Sequence, residues 1–221
     1  MFRKFGVRAR PLALAAVVLL SGCGAADDWS QPHARPSSIG TLGPGFTTAA
    51  PTPEATITPS PGSWDGVRPS AGYRVVLLSA GSDPQTATLV SAVREWAADE
   101  QVSLKTVTAD DPHGYPESIS EAMALQPDLV IAAGNALVDA LALVSANHLD
   151  QQFLVVGAEL AEPTANVTAA NWPGASFRGE GLGTSTGYDP ASFTPARAAA
   201  AVRAGVASVL NGVTGIVIRL S

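Results

Sequence analysis

The chain has one cysteine in 221 residues, Cys23. It can hold no internal disulfide, so its folded part must stand on an apolar core alone. Histidine is nearly as scarce: His33, His113 and His148 are far apart. With one thiol and scattered imidazoles, no spacing resembles a zinc site. No P-loop occurs, and Gly179, Gly181 and Gly183 do not complete a G-x-G-x-x-G after a strand. The paired acids at 27–28 and 110–111 read as solvated loop charge. The apolar run Pro11–Leu20 is about half the roughly 20 residues that a spanning helix needs.

What is present begins with that run. Arg3, Lys4, Arg8 and Arg10 precede it and small residues follow, the layout of a secretory signal. Leu20-Ser21-Gly22-Cys23-Gly24 resembles the lipobox of bacterial lipoproteins. The resemblance implies cleavage before Cys23, a diacylglyceryl group on its thiol, and an anchored protein on the extracytoplasmic face of the cell membrane. The expected signal peptide is 1–22. From Cys23 on, nine basic residues face nineteen acidic ones, a net of −10. Such a balance excludes nucleic acid and an anionic bilayer as partners of the folded part, because both require a basic face. Membrane attachment would then come from the lipid, at about 0.8 kcal/mol per buried methylene.

Residues 23–72 are dominated by Pro, Ser, Thr, Gly and Ala, as in "TAAPTPEATITPSPGS". Large apolar residues are sparse there, so the segment reads as a disordered, semi-rigid, extended linker. Trp29 and Trp64 are the residues that would dock it if any part packs.

The pattern changes at Tyr73. "YRVVLLS", "VSLKTVTAD", "DLVIAAG" and "QFLVVGAE" read as buried strands. Between the first two, Leu89, Val93 and Trp96 share one helical face, with Asp83 or Thr86 as its cap. "PESISEAMALQ" and "NALVDALALVSANH" supply two more helices. "NVTAANW" reads as a short fifth strand and "VTGIVIRL" as a last one. Between them, Thr194 caps a long helix that starts at Pro195 and stops at Gly212. The expected fold of 73–221 is α/β: a single three-layer, Rossmann-like lobe, with a mostly parallel sheet of about five to six strands flanked by helices.

In such a sheet ligands bind beyond the carboxyl ends of the strands. Ser82, Asp83, Asn135 and Glu159 fall there, as do Asn171 and Trp172. These residue types hydrogen-bond hydroxyls and amines, and they also serve as ordinary turn and cap residues. Gly183-Thr184-Ser185-Thr186-Gly187 matches G-x-S-x-G by letters. It lacks a strand before the serine, a helix after it and a histidine downstream, so no hydrolase is expected. Asn166-Val167-Thr168 is a glycosylation sequon by letters, discounted beside a bacterial leader.

"PDLVIAAGNALVDALALVSANHLDQQFLVVGAE" followed by "NVTAANW" resembles the BMP (basic membrane protein) family of substrate-binding lipoproteins, which have the type 1 periplasmic binding protein fold. The matching stretches are Asp128–Leu141, Phe153–Glu159 and Asn166–Glu180. The resemblance implies an extracytoplasmic receptor for an ABC importer, a nucleoside-like ligand, no cofactor and no catalysis. Family members clamp ligand between two lobes, and the folded length here fits one. Asp83 falls where the family carries acids, without the aromatic and asparagine that follow them, and Glu159 stands where the family has aspartate. A second reading keeps the lobe as a scaffold or protein-partner module of a non-transport envelope lipoprotein.

Overall fold

A computed structural model of the chain describes residue 1 and residues 28–33, 35–47, 50–160, 162–178 and 187–221. Residues 2–22 of the expected signal peptide, and Cys23, lie outside the described residues. Three two-residue strands come first: β1 (Ser38–Ile39), β2 (Thr56–Ile57) and β3 (Arg68–Pro69). The lobe proper then runs β4 (Arg74–Ala80), α1 (Pro84–Asp99), β5 (Ser103–Ala109), α2 (Tyr115–Ala124), β6 (Leu129–Ala133), α3 (Val138–Ser145) and β7 (Phe153–Val156). It closes with β8 (Ala158–Leu160), β9 (Val167–Asn171), β10 (Ser176–Arg178), α4 (Pro195–Leu210) and β11 (Val217–Arg219).

Seven strands form one sheet in the order β2-β11-β9-β7-β6-β4-β5, with every pairing parallel. β4, β6, β7 and β9 are buried at every residue, because helices cover both faces. β5, at the edge, instead alternates from Thr106 on: Val107 and Ala109 point in, Thr106 and Thr108 out. Successive side chains serve opposite cores. Val75, Leu77 and Ile131 meet Leu89, Val93 and Trp96 of α1 and the alanines of α4. Val76, Leu78 and Val130 meet Ile119 of α2 and Leu137 and Leu141 beside and within α3. Each fully buried Leu, Ile or Val contributes roughly 1.5–3 kcal/mol, which is how a chain without disulfides holds together. The α/β lobe expected from the sequence is therefore present, with seven strands in its main sheet.

The extended linker expected over 23–72 is corrected wherever the structure describes it. Residues 28–33 cross the amino ends of β5, β4 and β6 as a strap. Trp29 is 9% exposed, and its indole Nε1 donates to Ser103 Oγ at 2.8 Å. Lys105 Nζ lies 4.6 Å and Arg74 Cζ 5.6 Å from the ring centroid. The two terminal guanidinium nitrogens of Arg74 donate to the carbonyls of Gln31 and Asp28, both at 2.9 Å. His33 Nε2 sits 2.9–3.0 Å from both Asp128 carboxylate oxygens. Further along, Phe46 and Trp64 enter the α1/α4 core, and β2 extends the sheet beside β11. Prolines are tolerated because the strands are two residues long and the intervening turns hydrogen-bond locally, as in Ser63 N–H to Ser60 O at 3.1 Å. Composition averages apolar density over the segment. Docking on a formed lobe needs only a few large side chains, placed singly.

Candidate functional site

After β4 the chain places β5 on one side and then β6 on the other. This reversal is a topological switch point, and it opens a crevice beyond the carboxyl ends of β4 and β6. Two of the four expected residues, Asp83 before α1 and Asn135 after β6, flank it. Asp83 is the N-cap of α1: Oδ1 accepts from Thr86 N–H at 2.9 Å and Oδ2 from the Thr86 hydroxyl at 2.7 Å. Burial alone would raise its pKa, but the Thr86 hydrogen bonds outweigh it and hold the carboxyl below its ordinary value. Asn135 follows Gly134 at the end of β6. Its side-chain Oδ1 is buried and has no hydrogen-bond partner among the described residues. Gly134 has φ +88°, and a Cβ there would stand 3.3 Å from Thr86 Oγ1. The Asp83–Thr86 cap and the Asn135 loop therefore touch. Glycine is what lets them.

Ser82 is exposed at the mouth of this crevice. Glu159 lies in β8, opposite Phe177 of β10, one strand beyond the end of β7; its side chain is outside the described residues. Cys23 and Gly183–Thr186 are outside them too. His113 sits in the Pro112–Gly114 turn at the carboxyl edge, and His148 follows α3 at the amino edge, so the two imidazoles are on opposite sides of the lobe. No group of three or more His, Cys, Asp or Glu among the described residues is arranged to hold a metal ion. Asn166, of the sequon, is 1% exposed, and its amide Nδ2 donates to the carbonyls of Ser145, His148 and Gln151 at 3.1, 2.9 and 2.9 Å. It ties the end of α3 to β9.

Sequence reasoning placed Trp172 on this edge but missed the aromatic residues that pack with it. Trp172 and Phe193 meet edge to face at 5.1 Å, and Tyr188 packs on Phe193 at 5.9 Å. Trp172 Nε1 donates to Ser192 Oγ at 3.0 Å. A Cβ on Gly157 would stand 3.1 Å from Phe193, so this group closes down on the end of β7. Tyr188 is 54% exposed; burial first, then the charge of Asp83, push its phenol above the ordinary range. The available signal was Phe193, an apolar residue just ahead of the Thr194 cap, in the position of a hydrophobic staple.

An open cleft of about 360 Å³ lies at the other edge of the sheet, lined by Arg35, Tyr73, Asp128, Asp150 and Gln152 among others. Asp128 there is already engaged by His33 and by Arg74 N–H at 2.8 Å. Burial, then Asp128, push the Tyr73 phenol far up. Strands begin and helices end at this edge, so it lacks the glycine-ended strands and helix N-termini of the carboxyl side. The crevice at β4 and β6 is the better candidate on that ground.

No protein-family model matches the chain, and no curated protein matches it. Among solved structures it is similar to an ABC transporter solute-binding protein of Aeropyrum pernix K1, at 16% identity and TM-score 0.41, over 46% of this chain and 29% of that one. It is similar to a lipoprotein fragment of Peptoclostridium difficile 630, at 19% identity and TM-score 0.41, over 44% and 84%. A periplasmic ribose ABC transporter chain of Conexibacter woesei DSM 14684 matches at 16% identity and TM-score 0.39, over 69% and 55%. The chain thus spans about a third to a half of those two transporter chains. Likeness at this level carries no argument about ligand or activity. Among the described residues, no helix is long and apolar enough to cross a membrane.

Proposed function

We propose that the chain is an extracytoplasmic lipoprotein, anchored through Cys23, whose lobe takes up a small polar, nucleoside-like ligand at the β4/β6 crevice and serves ABC-type uptake. It works by binding, without a catalytic step. The observation that supports this most is Asn135 Oδ1, a buried acceptor with no partner among the described residues at the switch point. Leaving such a group unpaired costs about 1–3 kcal/mol, which a ligand N–H or O–H would recover. The lipid anchor is supported by the Leu20–Cys23 motif.

A second reading has one observation of its own. The carboxylate of Asp83 is closed into its cap, while Tyr188 stands exposed on Phe193. An exposed aromatic next to a used carboxylate suits a protein partner, and the lobe would then act as a scaffold. A thermal-shift screen of residues 24–221 against nucleosides, sugars and amino acids separates the two. A ligand at about 100 times its Kd adds roughly 2.7 kcal/mol. A shift that disappears in Asn135→Leu supports the receptor; no shift with any compound leaves the scaffold.

A further inference from the structure

Anchoring at Cys23 has been paired with a long, extended linker, but the strap removes most of that length. The chain is fixed to the lobe from Asp28 onward: Arg74 holds the carbonyls of Asp28 and Gln31, Trp29 is bonded to Ser103 and packed against Lys105, and His33 is held by Asp128. Arg74 and Ser103 begin β4 and β5, and Asp128 directly precedes β6. All three docking points lie at the amino edge of the sheet. Only five peptide steps separate Cys23 from Asp28, and five steps reach at most about 18 Å. β4 carries the fold from that edge to the crevice over seven residues, roughly 23 Å.

We infer that the lobe is seated on the lipid surface with the amino edge of its sheet toward the bilayer and the β4/β6 crevice turned away from it. This rests on lipidation of Cys23. Residues 35–47 and 50–72 do not act as a spacer, because they follow the docked strap and return to the lobe through Phe46, Trp64 and β2. The amino-edge cleft around Arg35 and Asp150 faces the headgroups, and the aromatic group of Trp172, Phe193 and Tyr188 faces outward. A ligand or partner meeting the carboxyl edge therefore approaches from the side away from the membrane.

The test uses the full lipidated protein in phosphatidylcholine vesicles carrying a short-range headgroup quencher. An azide-bearing residue replaces either Asp150, exposed at the amino edge, or Asp110, exposed at the carboxyl end of β5, and takes a fluorophore. Quenching at 150 is expected to exceed that at 110 at least threefold, and Trp29→Ala is expected to abolish the difference by releasing the strap. Equal quenching at the two sites or a reversed order would overturn the orientation, and a difference that survives Trp29→Ala would overturn the strap as its cause. Mass spectrometry of the Cys23 peptide reads lipidation separately. If the thiol is unmodified, the lipoprotein reading fails alone. The same chain, coupled through Cys23 to a maleimide phospholipid, still decides the geometry by the same comparison.

Discussion

Replacing Trp29 with alanine should detach the strap while leaving the lobe folded. The indole is 9% exposed. Burying an aromatic of that size removes roughly 200 Å² from water, about 5 kcal/mol at 25 cal/mol/Å² as an upper figure. Its hydrogen bond to Ser103 adds about 1 kcal/mol and the two cations about 0.5–1 each. Against this, ordering the six residues Asp28–His33 costs about 6–12 kcal/mol. The bonds of Arg74 and His33 supply the remaining few kcal/mol. Without Trp29 the balance tips to release. Amide hydrogen exchange is the direct assay. Ser30 and Gln31, whose N–H groups bond to Asp28, should exchange at least tenfold faster in Trp29→Ala. The amides of β4, β6 and β7 should keep their protection. Unchanged exchange in the strap would refute the reasoning, because docking would then not depend on the indole. Global loss of protection would refute it too, since Trp29 would then be part of the lobe's own stability.

Three further outcomes are expected. Asn166→Ala removes the amide's bonds to the carbonyls of Ser145, His148 and Gln151, of which the first two keep a backbone N–H partner, and should lower stability by about 1–3 kcal/mol in urea unfolding, whereas Ser82→Ala should change it by less than about 0.5. Gly205→Ala sets a Cβ 2.5 Å from Leu154 Cδ1, and should cost about 1–3 kcal/mol despite the better helix propensity of alanine. Asp83→Ala, which removes the cap acceptor, should cost about 0.5–2 kcal/mol near neutral pH. The folded carboxyl titrates below its unfolded value, so this contribution is complete above roughly pH 4 and is lost as pH falls through the lower folded pKa. Urea midpoints of wild type and Asp83→Ala should therefore draw together in acid.

The buried strands were legible because all-apolar runs such as Leu129–Ala133 have few other uses, and α4 because Thr194, Pro195 and Gly212 mark both its ends. β2 was not legible: two residues, Thr56 and Ile57, carry no period, and they pair only because β11 leaves an open edge. The strap was hidden for a related reason. Its stability comes from partners over 40 residues away, Arg74 and Ser103, and no window of composition contains both sides. At the site, Asp83 and Asn135 were found by position at strand ends. Their different fates, one carboxylate closed into a cap and one amide oxygen without a partner, depend on Thr86 and on the approach allowed by Gly134. Phe193, with Tyr188 packed on it, is held at the carboxyl edge by Trp172 and by the Asp189 N–H bond to the Gly174 carbonyl, contacts that sequence distance conceals.

The account turns on ligand binding at the β4/β6 crevice. Isothermal titration of residues 24–221 with nucleosides, sugars and amino acids tests it most directly, with Asn135→Leu as the paired variant. The prediction is saturable one-to-one binding of at least one compound, weakened tenfold or more in Asn135→Leu at an unchanged unfolding midpoint. Binding that is indifferent to Asn135, or no binding by any of the three classes, would contradict it.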